Sequence, residues 1–267
     1  MVNSWERPHF VIIGGGHAGA HLASSLVKYG WAGSITLVGE EAQPPYRRPT
    51  MSKSFLAGRE QLPDILIRPV EEYERHGIAL EPGVAVATID RNARSVGLAD
   101  GRAIPYDKLA ICTGARPREV RLPGAELDGV HYLRSHHDAV RVRSAIATGR
   151  RAVIIGGGYL GLEVACVLVR AGLEVTVLEA EARVLQRVAG APVSRFYTRV
   201  HREAGVIVRT GAAVLALEGS GHVSAVRLAD GSAVEADLVI VAVGAVPNVE
   251  LAVRAGLAVD NGIVVDG

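Results

Sequence analysis

The sequence predicts an α/β fold assembled twice over: two parallel sheets flanked by helices, each with a small antiparallel β-meander. Two observations carry that prediction. The string Phe10-Val-Ile-Ile-Gly-Gly-Gly-His-Ala-Gly19 returns as Val153-Ile-Ile-Gly-Gly-Gly-Tyr-Leu-Gly161, so that Gly14, Gly16 and Gly19 recur 142 residues later as Gly156, Gly158 and Gly161. After each string come helical spacing, a second apolar run, a meander with an Ala-Asp-Gly turn, and a buried run ending at Gly114 or Gly244.

His9 to Ile13 is short, apolar and stopped by glycine, which reads as a buried strand. Ala20, Leu22, Ala23, Leu26 and Val27 give Ala18 to Tyr29 helical spacing, and Gly30 stops it. Ser34 to Val38 reads as a second strand, closed by Gly39-Glu40-Glu41. In such a turn the first glycine permits a sharp bend and the second lets backbone approach a pyrophosphate. The third lets helix and strand pack closely, and the helix N-terminus offers free N–H groups to the phosphates. An acid about 20 residues on can accept hydrogen bonds from an adenosine ribose. Glu40 lies 21 residues after Gly19, and Glu179 lies 18 after Gly161. One such turn is a weak signal; two in matching contexts predict Rossmann-like halves that hold two dinucleotides.

Pro44-Pro-Tyr-Arg-Arg-Pro-Thr-Met-Ser-Lys53 follows an extended or turning path set by its prolines, and its basic residues taken alone read as solvated surface. After an amphipathic stretch at 70–76, the runs at 79–80, 84–89, 95–98 and 103–104 read as an antiparallel meander leading to the strand 108–112. Residues 115–125 read as a linker. Helices are expected at 135–147, 162–170 and 192–203, and strands at 175–178, 206–208, 214–217, 223–228 and 237–243. The domains are therefore expected at 1–114 plus 244–267 and at 115–243.

Composition excludes several classes. A net charge of +1 supports no whole-molecule field for nucleic acid or membrane. Cys112 and Cys166 are 54 apart and lie in apolar runs, which gives neither a redox pair nor a cysteine-rich metal site. His136 and His137 are adjacent and point to different sides of a helix, so no metal is expected. The first residues contain no apolar signal core and no run approaches the ~18 residues of a membrane span; a cytoplasmic location is the expectation.

The strings Pro-Tyr-Arg-Arg-Pro-Thr-Met-Ser-Lys53, Cys-Thr-Gly-Ala-Arg-Pro117, Tyr-Leu-Arg134, Gly-Gly-Gly-Tyr-Leu-Gly-Leu-Glu163, Arg-Val-Leu-Gln-Arg-Val188 and Val-Gly-Ala-Val-Pro-Asn248 are more specific than the glycines. With them, nearly the whole chain resembles the FAD-dependent ferredoxin and rubredoxin reductases of the glutathione-reductase-like flavoprotein superfamily. The resemblance implies that Gly14, Gly16, His17, Ala18 and Gly19 hold the FAD pyrophosphate and Glu40 its ribose. Arg48 contacts FAD, Lys53 lies near the flavin ring, and Val86, Thr113, Gly114 and Arg134 complete that site, with Gly244 a further cofactor contact. Gly156, Gly158, Tyr159, Leu160 and Gly161 hold NADH, Glu179 its ribose, and Glu163 reaches toward the nicotinamide. Lys53 and Glu163 form a cross-domain catalytic pair. Glu179 suits a 2′-hydroxyl and repels a 2′-phosphate, which favours NADH over NADPH, with Arg183 four residues further on.

The implied chemistry is hydride transfer from nicotinamide C4 to flavin N5, then single-electron transfer to a 2Fe–2S ferredoxin or a rubredoxin that serves an oxygenase, with no protein nucleophile and no metal. The lack of a cysteine pair argues against a disulfide reductase. The family continues with a segment of the type Thr-x-x-Pro-x-Ile-(Tyr/Phe)-Ala-x-Gly-Asp and a C-terminal interface domain, so the FAD domain is expected to be incomplete at Gly267 and the NAD domain complete. A nucleotide-binding module without turnover and an apoptosis-inducing-factor-like flavoprotein are the competing expectations.

Overall fold

The computed structural model describes residues 7–266. Residues 1–6, part of the stretch read as lacking a signal core, and Gly267 lie outside the described residues. The chain divides into two compact units: Met1–Arg48, Leu62–Arg116 and Val246–Gly267 form one, and Pro49–Gln61 and Pro117–Ala245 form the other.

In the first unit, His9–Ile13 lies between Ser34–Gly39 and Lys108–Ile111, and Ile78–Pro82 adds to the far side of Ser34–Gly39, all in parallel. The apolar run at 10–13 places alternate side chains on opposite faces. Val11 and Ile13 pack with Val96, Leu98 and Leu251, while Ile12 packs with Ala23, Leu37 and Tyr73. Helix His17–Lys28 crosses between the first two strands and turns its small residues Gly19, Ala20 and Ala23 inward. Gly30, at φ 79°, follows its end.

Ile78–Pro82 corrects the expected meander. It follows the short helix Val70–Arg75 and joins the parallel sheet, because a strand–helix–strand crossover delivers a parallel neighbour. The antiparallel sheet contains only Val86–Asp90, Ser95–Leu98 and Ala103–Pro105.

The second unit repeats the plan. Its parallel sheet runs Ile207–Thr210, Glu174–Glu179, Arg151–Ile155, Leu238–Val241, Val130–His131. Helix Tyr159–Arg170 makes the crossover, and Val214–Ser220, His222–Leu228 and Ala233–Glu235 form the antiparallel sheet. Helix His136–Thr148 begins in a capping box, with Ser135 and Asp138 each bonding the other's backbone N–H. The expected linker begins as a strand: Ala115–Pro117 pairs with Ala245–Pro247.

The sequence reading placed 49–61 in the first domain; the structure groups it with the second unit. Phe55 and Leu56 are buried, the Arg143 guanidinium lies 5.2 Å from the centre of the Phe55 ring, and His136 packs against the same ring. A 3₁₀ turn, Arg48–Ser52, leads into this segment.

Candidate nucleotide sites

The two glycine turns have the same backbone. Gly14 and Gly156 take φ of 119° and 111°. A Cβ on Gly14 would stand 2.1 Å from the Cys112 carbonyl oxygen, and one on Gly156 2.4 Å from that of Ala242. A Cβ on Gly19 or Gly161 would stand 2.1 or 2.0 Å from the carbonyl oxygen of Gly14 or Gly156. The first and third glycines are thus closed in by protein. The second is open: nothing lies within 4 Å of a Cβ on Gly158, and only the Arg48 guanidinium approaches one on Gly16, with Nε at 3.7 Å.

Both helices start at an extended glycine with no side-chain cap and no acid in the first turn. Their N–H groups and positive ends are left for an anion. An open middle glycine over an uncapped helix end fits a dinucleotide diphosphate. His17 and Ala18 occupy the first positions of one helix, Tyr159 and Leu160 those of the other.

Beyond the second strand the units still correspond. Gly83 and Gly211 donate backbone N–H to the carbonyls of Glu41 and Glu181, at 3.0 and 2.9 Å, and Val84 and Ala212 do so to Gly39 and Glu179, at 3.0 and 2.9 Å. Glu179 is therefore the counterpart of Gly39, and Glu41 the counterpart of Glu181. Glu40, chosen from its spacing, matches Ala180 and is exposed. Glu41 instead accepts from the Tyr46 hydroxyl at 2.6 Å and pairs with Arg48, which the Tyr46 ring also supports at 5.2 Å. In the second unit Glu179 accepts from the N–H of Gly157 at 2.7 Å and of Glu181 at 2.9 Å. A carboxylate has about four acceptor sites, so this fixed group keeps capacity for a ribose diol.

Lys53 and Glu163 meet, Nζ to Oε2, at 2.8 Å, and both belong to the second unit, so the pair does not join two units as expected. The buried Ser52 hydroxyl donates to the same Oε2 at 2.6 Å. Its position next to Lys53 was visible in the sequence, but nothing local showed that it faces a residue 111 positions away.

Thr113 and Gly114 lie just past the strand Lys108–Ile111 and are tied by Asn248. Thr113 Oγ1 donates to the Asn248 carbonyl at 2.7 Å, Asn248 Nδ2 to the Thr113 carbonyl at 2.9 Å, and the Asn248 N–H to the Gly114 carbonyl at 2.9 Å. Val86 opens its strand and packs on the core face of Val11 and Ile13. Arg134 is exposed and lies in the second unit, as does Gly244 at φ 113°. Both cysteines are half-buried, and burial pushes the Cys112 thiol up, away from the thiolate form.

Sequence reasoning missed one more repeated device. Asp107 accepts the His9 N–H at 2.7 Å and donates its own N–H to the His9 carbonyl at 2.8 Å. Asp237 does the same for Arg151, at 3.0 and 2.8 Å, and adds a 2.9 Å bond from the Arg151 guanidinium. That bond and those from the Arg150 and Arg151 N–H groups hold the Asp237 carboxyl below its ordinary range. Each aspartate directly precedes a strand beside the central one; the matching Asp-x-apolar positions were the available signal.

The chain is 47% identical over 266 residues to the probable ferredoxin reductase CtmF of Castellaniella defragrans, covering 99% of this chain and 64% of that protein. It is 44% identical to putidaredoxin reductase CamA of Pseudomonas putida, covering 96% and 62%. The crystal structure of the covalent putidaredoxin reductase–putidaredoxin complex matches with a TM-score of 0.92 at 42% identity, over 96% of this chain and 63% of that one. The chain thus spans less than two thirds of the length of these relatives. Residues 8–267 match the sequence profile described as pyridine nucleotide-disulphide oxidoreductase, and the chain belongs to that family.

Proposed function

We propose that the protein is an NADH-dependent flavoprotein reductase that passes electrons to a small iron–sulfur protein, a 2Fe–2S ferredoxin or a rubredoxin, in the service of an oxygenase and in the cytoplasm. The observation that carries this reading is the pair of open glycine turns, each over an uncapped helix end. The names of the relatives, a ferredoxin reductase and a putidaredoxin reductase, support the direction of electron flow. No helix among the described residues is long and apolar enough to cross a membrane.

In this reading Gly14, Gly16, His17, Ala18 and Gly19 hold the FAD diphosphate with Arg48, Glu40 holds its ribose, and Val86, Thr113 and Gly114 contact the rest. Gly156, Gly158, Tyr159, Leu160 and Gly161 hold NADH and Glu179 its ribose. Lys53, Arg134 and Gly244 are further cofactor contacts. Bound FAD supplies hydride acceptance and single-electron release; the protein supplies position and field. Ser52 and Lys53 converge on Glu163 Oε2, so an ammonium and a carboxylate are held in fixed relation. With side chains 49% and 35% exposed, that pair adds little to stability, ~1 kcal/mol or less, which leaves a role in the reaction as its proposed use.

The test is the visible spectrum of the protein given FAD and then NADH without oxygen. Retained flavin bands that bleach on NADH addition are expected, with Glu163→Gln slowing bleaching at least ~10-fold at saturating NADH. A colourless protein that takes up no FAD would sink catalysis by this chain and leave a nucleotide-binding module. Unchanged bleaching in Glu163→Gln would remove the pair from the reaction.

A further inference from the structure

The loop that follows strand Glu174–Glu179 is held by one guanidinium. Arg183 Nη1 donates to the Ala189 carbonyl and to Ser194 Oγ, both at 2.6 Å, and Nη2 donates to the Gln186 carbonyl at 3.1 Å. Ser194 is only 2% exposed, so this is an internal clasp and not a surface contact. The clasped loop is tied in turn to the glycine turn. Leu185 donates its N–H to the Gly157 carbonyl at 3.0 Å. It does so from the left-handed region, at φ 56°, with its side chain buried. A leucine rarely adopts that conformation, and the surrounding contacts must hold it there.

Val184 closes the same turn, its Cγ1 standing 2.9 Å from where a Cβ on Gly157 would be. The Gly157 N–H is bonded to Glu179 Oε2, Glu179 Oε1 accepts from Glu181 N–H, and Gln186 Nε2 reaches Glu181 Oε2 at 3.0 Å. Both polar backbone groups of Gly157 are thus fixed, one by the acid and one by the loop. Arg183 lies four residues past Glu179, where a cation could read a 2′-phosphate. Three of its donors are turned inward, onto the loop and Ser194, instead.

We infer that Arg183 is a positioning residue of the second nucleotide site: it clasps the loop, keeps Leu185 on Gly157, and so aims Glu179 at the ribose. This rests on the reading of that site as the NADH site. Arg183 does not read phosphate, so its loss weakens NADH and NADPH alike.

The experiment titrates wild-type protein, Arg183→Gln, Arg183→Lys and Ser194→Ala with NADH and with NADPH by calorimetry. In parallel, the ligand-free proteins are digested with trypsin and cleavage after the exposed Arg187 is followed by mass. Arg183→Gln is expected to raise Kd about tenfold for both nucleotides, leaving their ratio unchanged, and to speed cleavage after Arg187. Arg183→Lys restores part of the affinity, and Ser194→Ala shifts both readouts the same way by less. A selective loss of NADPH binding in Arg183→Gln would make Arg183 a phosphate reader and overturn the inference, as would unchanged NADH affinity with unchanged cleavage. If Arg183→Gln does not fold, Ser194→Ala decides. Wild-type protein that takes neither nucleotide sinks the site reading, and the trypsin arm then decides the clasp by itself.

Discussion

At the first turn, Gly15 faces the Cα of Gly39, and the Arg48 guanidinium approaches Gly16. At the second, Gly157 is bonded to Glu179 and covered by Val184 and Leu185. The turns themselves match in every positive φ and every close backbone approach described above. In the proposed reading, the chemistry offered to a ligand is therefore set by the end of the second strand and the loop after it, which supply Arg48 in one unit and the fixed Glu179 carboxylate in the other. On that proposal the glycine motif sets how closely a diphosphate approaches, and the strand end and loop beside it set which nucleotide is preferred.

One added methyl group at different glycines separates backbone packing from ligand approach. Gly156→Ala, with a blocked Cβ and φ of 111°, is expected to cost on the order of 3 kcal/mol. By thermal melting that is a fall in Tm of about 10 °C, and Gly14→Ala should behave alike. Gly158→Ala meets no atom within 4 Å. It should cost less than about 1 kcal/mol, the N-cap preference for glycine, yet raise the NADH Kd at least ~10-fold by obstructing the diphosphate. Equal melting losses for Gly156→Ala and Gly158→Ala would show that the middle glycine serves packing alone.

The acids come next. Glu179→Arg should weaken NADH binding roughly 10- to 100-fold, the equivalent of one or two charged hydrogen bonds; titration that finds unchanged affinity removes Glu179 from the ribose. In the first unit Glu40→Gln should weaken FAD retention about tenfold. Retention lost in Glu41→Gln and kept in Glu40→Gln would move that role to the structural counterpart of Glu181.

The smallest expected effect concerns the aspartate that ties neighbouring strands. Asp237 is depressed in the folded state, so it stabilises the fold at pH values above the ordinary carboxyl range and ceases to do so as pH falls through its lowered folded value. Partial exposure of Arg151 screens the bond, so Asp237→Asn should cost ~1 kcal/mol, or about 2–4 °C in Tm, at pH 7. The difference from wild type should shrink as pH drops below the ordinary value of 3.8. A difference that stays constant down to low pH would assign the effect to packing.

Elements made by local chemistry were legible in the sequence: the glycine turns, the apolar strands 9–13 and 151–155, and the helices they feed. What was not legible depends on pairing at a distance. Nothing in Ile78–Pro82 states that its neighbour is Ser34–Gly39. Glu40 and Glu41 are equally good acids by spacing, and only the bonds from Gly83 and Val84 show which one corresponds to Glu181. Lys53 and Glu163 were paired through family likeness, whereas Ser52 emerged only from the fold. The clasp at Arg183 was missed because spacing locates a charge and says nothing of which way it turns.

The excursion Pro49–Gln61 has a consequence for how the molecule is put together. The polypeptide crosses from one unit to the other four times, so neither unit is a continuous stretch of gene. A fragment 117–245 taken by itself would lack Ser52, Lys53 and Phe55, leaving Glu163 without the hydroxyl and ammonium that hold it and the Arg143 guanidinium without its aromatic partner. The second unit includes a loop, 49–61, that is synthesised before the rest of it. Both ends of that loop lead into the first unit, so the chain returns to each unit rather than completing one before starting the other.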